Sequence, residues 1–152
     1  MDFSCLRAWF GALPLASIAL ASLAAIAPAA GAVELVVIVA AGSPLGALRI
    51  EQVADIFLGQ VARFPDGREA VALDLGLGSA LRDEFYIKVA ARKPALMKAH
   101  WTKMIFTGRG QPPKEAPTSA AVRKLVADNP ALIGYIDRAS LDSSVKPVLL
   151  LP

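Results

Sequence analysis

The sequence predicts an α/β domain preceded by an export signal. Two observations carry the fold class. From residue 33 onward, short apolar runs alternate with segments of helical periodicity, the pattern of strands and helices packed in layers. The first run, Glu34 to Ala41, is mostly continuous and rich in valine, which marks a strand covered on both faces, as in a parallel or mixed sheet, and places it centrally. A third observation separates the domain from what precedes it. The chain has 152 residues, 55% of them hydrophobic, but the excess is concentrated before Gly31, so the average describes neither part.

Arg7 closes a short n-region, Ala8 to Ile26 carry no charge, and Ala27-Pro28-Ala29 and Ala30-Gly31-Ala32 each offer the small-x-small pattern that signal peptidase accepts. Cleavage is expected after Ala32, giving a signal peptide at 1–32 and a domain at 33–152. The uncharged run is nearly long enough for an uncleaved membrane anchor, but Gly11, Pro14 and the alanine-rich tail favour a signal. Cys5 lies ahead of the apolar run and leaves with the signal. The mature domain then has no cysteine for a disulfide, a thiolate metal site or a nucleophile. Removing Arg7 and Asp2 from 16 basic and 13 acidic residues leaves 15 and 12, so the net charge stays at +3. That balance suits an anionic ligand but is too small and too evenly spread for nucleic-acid binding.

Each element follows from local pattern. After the first strand, Gly42, Ser43, Pro44 and Gly46 form a loop, and Ile50, Val53, Ala54, Phe57 and Leu58 recur at helical spacing until Gly59 stops the helix. Phe64-Pro65-Asp66-Gly67 is a turn, and Ala70 to Leu75 reads as a second strand. Ser79 is the natural cap of a helix over Ala80 to Ala90, with Leu81, Phe85 and Val89 as its apolar stripe. Pro94 opens a further helix to about Phe106, with Leu96, Ala99, Trp101 and Ile105 expected on its buried side. Thr107 to Pro117 holds two glycines and three prolines and reads as a loop. Ser119 is expected to cap a helix to Asp128. Ala131 to Ile136 and Val145 to Leu151 read as the last strands, around a short turn-helix at Arg138 to Leu141. Val36, Ile38, Phe57, Leu73, Phe85, Trp101, Ile133 and Tyr135 are the expected core.

Three segments have counterparts in one known family. Leu48-Arg49-Ile50-Glu51-Gln52-Val53-Ala54-Asp55-Ile56-Phe57-Leu58-Gly59 is similar to a helix ending in "IFxG", followed by Phe64 where that family often has tryptophan. Gly78-Ser79 enters a helix containing Phe85 at the place of a phosphate loop reading R-x-D-G-S-G-T. Leu132-Ile133-Gly134-Tyr135-Ile136 is similar to an "AIGY" strand. In this order they resemble the periplasmic phosphate-binding proteins of ABC importers, within the type 2 periplasmic binding protein superfamily. The resemblance implies a small three-layer domain with a mixed, mostly parallel sheet, like one lobe of such a protein. It also implies a non-enzymatic solute-binding role with phosphate or another small oxyanion as ligand and no cofactor. An ABC importer permease or another envelope protein would be the partner. The full two-lobed protein needs roughly twice this length, so a homodimer or a second protein would supply the missing wall.

The phosphate loop itself is altered. Its serine and preceding glycine match Ser79 and Gly78, whereas its arginine, aspartate, second glycine and threonine fall on Leu75, Leu77, Ala80 and Leu81. What survives is a helix N-terminus with one hydroxyl, able to hold any oxyanion. Arg82, one turn into the helix, would reach such an anion and replace the lost arginine, or else lie in a solvated face with Asp83 and Lys88. Ser43 follows the first strand, where ligand-touching loops of open sheets gather. Thr107-Gly108-Arg109-Gly110 combines a hydroxyl with a guanidinium and forms a second anion-touching candidate. The ligand set is therefore Ser43, Gly78, Ser79, Arg82, Thr107 and Arg109.

The competing readings are plain. Ser79 also serves as an ordinary cap, and Thr107 to Gly110 as a surface turn. His100 is the only histidine and reads as a partly exposed helix residue. With no mature cysteine and one histidine, the chain lacks most of the ligands of a typical zinc site. A hydrolase using Ser79 and His100 lacks the G-x-S-x-G frame and needs those residues to meet. The other alternative is a ligand-free relative acting as an envelope protein-interaction module.

Overall fold

The computed structural model describes residues 33–152, so the signal-peptide expectation for 1–32 lies outside the described residues. In chain order the elements are β1 (Leu35–Ala40), α1 (Ile50–Phe57), β2 (Val71–Leu75), α2 (Ala80–Ala90), α3 (Pro94–Phe106), β3 (Lys114–Ala116), α4 (Ser119–Asp128), β4 (Leu132–Asp137), a 3-10 turn (Arg138–Ser140) and β5 (Val145–Leu151). The five strands form one sheet in the order β3-β2-β4-β1-β5. β2 is parallel to β3 and β4, and β1 is antiparallel to β4 and β5. Four strands therefore run one way and β1 alone the other, a mixed and mostly parallel sheet. All six residues of β1 are buried, as its valine run requires. The middle of the sheet is β4, however, and β1 sits one place off it, because the long C-terminal strand β5 adds on its far side.

Two consecutive residues of β4 define the layers, since neighbouring side chains on a strand point to opposite faces. Tyr135 stacks on Phe85 of α2 with ring centroids 3.8 Å apart and meets Phe57 of α1 edge-on at 5.7 Å. Gly134 faces Val122 and Val126 of α4. The sheet is thus covered by α1 and α2 on one face and α4 on the other. Every residue of the expected core is buried.

Four local expectations are corrected. α4 is capped by Thr118, whose Oγ1 accepts from Ala121 N at 3.1 Å. Ser119 is the first helical residue instead, its buried hydroxyl accepting from Asp137 N at 3.5 Å. The loop after α3 contains β3, three residues whose strand conformation comes from pairing with β2 rather than from any periodicity in Lys-Glu-Ala. On α3 the buried residues are Met97 and Trp101, whereas Leu96 and Ile105 are both 56% exposed. Apolar residues surround this helix, so its spacing selects no face. Its seat is set by Trp101, which approaches Gly59, and by a hydrogen bond between His100 Nε2 and Leu58 O at 2.9 Å. The last is Arg82, which is buried rather than solvated.

At the β5 edge of the sheet, Leu48 N donates to Val148 O at 2.8 Å and Lys146 Nζ donates to Ser43 O at 2.6 Å. The loop after β1 therefore lies along that edge and covers part of it, which limits pairing with other strands.

Gly134 is where the two layers come closest. A Cβ there would lie 2.5 Å from Val122 Cγ1 and 3.2 Å from Val126 Cγ2, so even alanine overpacks the β4–α4 contact. Gly134→Ala should lower stability by about 1–3 kcal/mol, read from urea midpoints. The loss should shrink in a Val122→Ala background, and an equal loss in both backgrounds would contradict the contact.

Candidate functional site

The site begins where β2 ends. Gly76-Leu77-Gly78 turns the chain from the sheet into α2, and Gly78 takes φ +85°, a left-handed conformation that glycine adopts without strain. Ser79 then caps the helix, its Oγ accepting from Arg82 N at 3.4 Å. The first-turn N–H groups of Ala80 and Leu81 precede any intrahelical acceptor and, with the positive end of the helix dipole, face outward as donors. Leu77 of this loop is 82% exposed.

Beneath this loop lies a polar cluster that was not recognised from the sequence. Asp74 is wholly buried at the end of β2. Tyr135 Oη donates to its Oδ1, Tyr86 Oη donates to Oδ2 at 2.8 Å, and Leu75 N donates to Oδ1 at 2.9 Å. Arg82 places Nη2 3.1 Å from Asp74 Oδ2 and Nη1 2.6 Å from Glu115 Oε1. The arginine side chain is only 7% exposed, while that of Glu115 is 40% exposed.

The electrostatics follow from burial and pairing. Burial raises the Asp74 carboxyl above its ordinary range and outweighs what Tyr135, Arg82, Tyr86 and the Leu75 N–H return to the charged form. Burial also opposes the Arg82 charge, but Asp74 and Glu115 overcome it and the guanidinium holds its proton more firmly than usual. Both tyrosine hydroxyls are pushed up by burial and by the Asp74 charge, so they stay protonated as donors. Arg82 is therefore a fixed cation already bracketed by two carboxylates. Counting Asp74 and Glu115 against Arg82, the cluster carries no surplus positive charge for a further anion.

Next to the loop, α2 and α3 enclose a cavity of about 510 Å³, within the usual range for small-molecule sites. Its walls are mainly apolar, with Leu77, Tyr86, Pro94, Met97, Trp101 and Ile105 among them, and Arg82 and Glu115 also border it.

The six expected ligand residues do not converge. Gly78, Ser79 and Arg82 share the α2 entrance. Ser43 is buried in the loop after β1, where its Oγ accepts from Leu45 N at 3.3 Å and from Arg68 Nη2 at 3.1 Å. Thr107 is turned back on α3, donating to Lys103 O at 2.7 Å, and Arg109 lies exposed beyond it. No hydrogen bond or ion pair among the described residues joins Ser43, Thr107 or Arg109 to the α2 entrance. Nor does one join Ser79 to His100, which is engaged with Leu58.

The same arrangement of strands and helices occurs in solved structures. An ABC-type phosphate transport receptor from Vibrio cholerae superposes with a TM-score of 0.60 at 18% identity, covering 76% of this chain and 46% of that one. The fold is shared with phosphate-transport binding proteins. A protein from Clostridium perfringens assigned as a phosphate ABC transporter substrate-binding protein, with bound phosphate, gives a TM-score of 0.58 at 22% identity over 76% of this chain and 45% of that one. PstS from Borrelia burgdorferi gives 0.53 at 12% identity, with coverage of 76% and 47%. The chain thus spans less than half the length of these structures. No family model matches the sequence, and no curated protein matches it.

The geometry separates two residues that the sequence placed in one role. Arg82→Ala leaves Asp74 buried without its cation and should destabilise the domain by about 3–5 kcal/mol. Ser79→Ala removes only a cap and should cost about 1 kcal/mol. Chemical denaturation of both variants checks this; equal and small losses would show that Arg82 is not part of the core.

Proposed function

We propose that this chain is an exported, non-catalytic binding protein of the solute-binding type that holds a small oxyanion, phosphate in the first instance, weakly at the entrance to α2. The observation that carries this reading is the Gly78-Ser79 entry into α2 within a fold shared with phosphate-transport binding proteins. The first-turn N–H groups supply the donors, and Ser79 fixes the first turn.

Magnitude sets the strength. A helix N-terminus contributes about 0.3–1 kcal/mol to an exposed anion and up to about 2 when partly buried. Micromolar binding needs about 8 kcal/mol, and millimolar about 4. An available arginine would add about 1.5–3 kcal/mol through charged hydrogen bonds, but Arg82 is engaged by Asp74 and Glu115. What remains is at most about 2 kcal/mol, so affinity of tens of millimolar or weaker follows.

A second reading, an envelope protein-interaction module without a solute, is favoured by the same engagement of Arg82 and by the exposure of Leu77 where a ligand residue would stand. One titration decides between them. Expressed from the full chain in a Gram-negative host, the protein should be recovered from the periplasm beginning at Val33. Calorimetry should then give phosphate binding no tighter than tens of millimolar that Glu115→Gln strengthens several-fold, since this half-exposed carboxylate is the removable half of the Arg82 bracket. No heat with phosphate or sulfate in either protein would leave the interaction module as the function.

A further inference from the structure

α3 has apolar residues on every side, interspersed with Lys98, His100, Thr102 and Lys103, yet buries only Met97 and Trp101, which leaves large apolar side chains uncovered. Toward the α2–α3 cavity and the outer side it presents Ile105 and Phe106, 56% and 92% exposed. This face has relief. Ala95, Lys98 and Thr102 border both the α2–α3 cavity and a shallower depression that reaches Lys103 and Phe106. The outer side of α3 is therefore a ridge with a hollow on each flank. Its charge is divided as well: the α3 rim of the cavity bears Lys98, while on the opposite side Glu115 is paired with Arg82 and Asp83 of α2 supplies the acidic charge.

We propose that two copies of this chain pair through this face, about a two-fold axis running along the cavity, with Ile105 and Phe106 of each copy seated against the cavity of the other. Two-fold pairing sets a patch against its own reverse. Lys98 on the α3 rim of one copy then meets Asp83 on the α2 rim of the other, on both sides at once. A uniformly acidic or uniformly basic partner would meet a like charge on one rim, and like-charge juxtaposition opposes association. A second copy carries the complement in the required layout. The exposed Phe106 and Ile105 supply the large apolar anchors on which pairing of this kind depends.

Sedimentation velocity of the purified protein tests the pairing. It should show a reversible monomer–dimer equilibrium that weakens as salt is raised. Phe106→Asp, at a position too exposed to disturb the fold, should weaken the dimer about tenfold or more. Lys98→Glu and Asp83→Lys should each weaken it, and the two combined should restore it, a rescue that an unrelated partner would not produce. A monomer at every concentration the protein tolerates would overturn the proposal, as would a dimer indifferent to Phe106→Asp or without the charge-swap rescue. The face would then belong to a different protein or to an apolar small molecule. Leu77, Arg82 and Asp83 of the α2 entrance border the same cavity, so phosphate calorimetry on the Phe106→Asp protein, with the pairing weakened, reads the oxyanion site apart from the pairing and keeps the two failures distinguishable.

Discussion

A carboxylate with no access to water must be given partners, and the polar half of this domain is arranged around that constraint. Asp74 ends β2, Tyr135 comes from β4, Tyr86 and Arg82 come from successive turns of α2, and Glu115 belongs to β3. One buried charge thus ties three adjacent strands to the helix that covers them. The stacked rings of Phe85 and Tyr135 lie in the same layer, so the tyrosine that satisfies the carboxylate through its hydroxyl also builds the core through its ring. Removing one member would leave the others desolvated and unpaired, which costs more than the net value of the intact pair.

The same cluster shapes what the α2 entrance can recognise. A helix N-terminus draws an anion weakly, and a nearby arginine would raise that attraction by an order of magnitude or more. Here the arginine faces inward and its fork is filled by the protein's own carboxylates. Asp74 and Glu115 stand, chemically, where the oxygens of a bound oxyanion would. Beside them the surface turns apolar, through Leu77 and the walls of the α2–α3 cavity. The loop thus enters α2 through a left-handed glycine and a serine cap, while the side chains beside it are apolar.

Much of the fold was legible because local and global preferences agree. The valine run of β1, the spaced apolar residues of α1, Ser79 before α2 and Pro94 opening α3 each state one element without ambiguity. β3 was not legible, since three residues of Lys-Glu-Ala carry no period and take strand form only beside β2. The inward face of α3 was not legible either, because apolar residues on every side leave spacing with nothing to choose. Arg82 was read as a surface or ligand residue from its polar neighbours on α2. A signal against that reading was present: Asp74 interrupts an apolar strand, Val71-Ala72-Leu73-Asp74-Leu75, and a charge in a covered strand calls for a partner. The first cation of the following helix is Arg82. The hydroxyls of Tyr86 and Tyr135 gave no comparable sign, because tyrosine at a core position is already explained by its ring.

The central claim is that Asp74 and Arg82 act as one unit inside the domain. A double-mutant cycle with Asp74→Ala, Arg82→Ala and the combined variant, followed by urea denaturation, measures it directly. The combined loss should fall short of the sum of the single losses by on the order of 1–3 kcal/mol, since each single variant leaves the other charge buried alone. Losses that add to within about 0.5 kcal/mol would show two independent residues, and the engagement of Arg82 could then no longer explain a weak anion site.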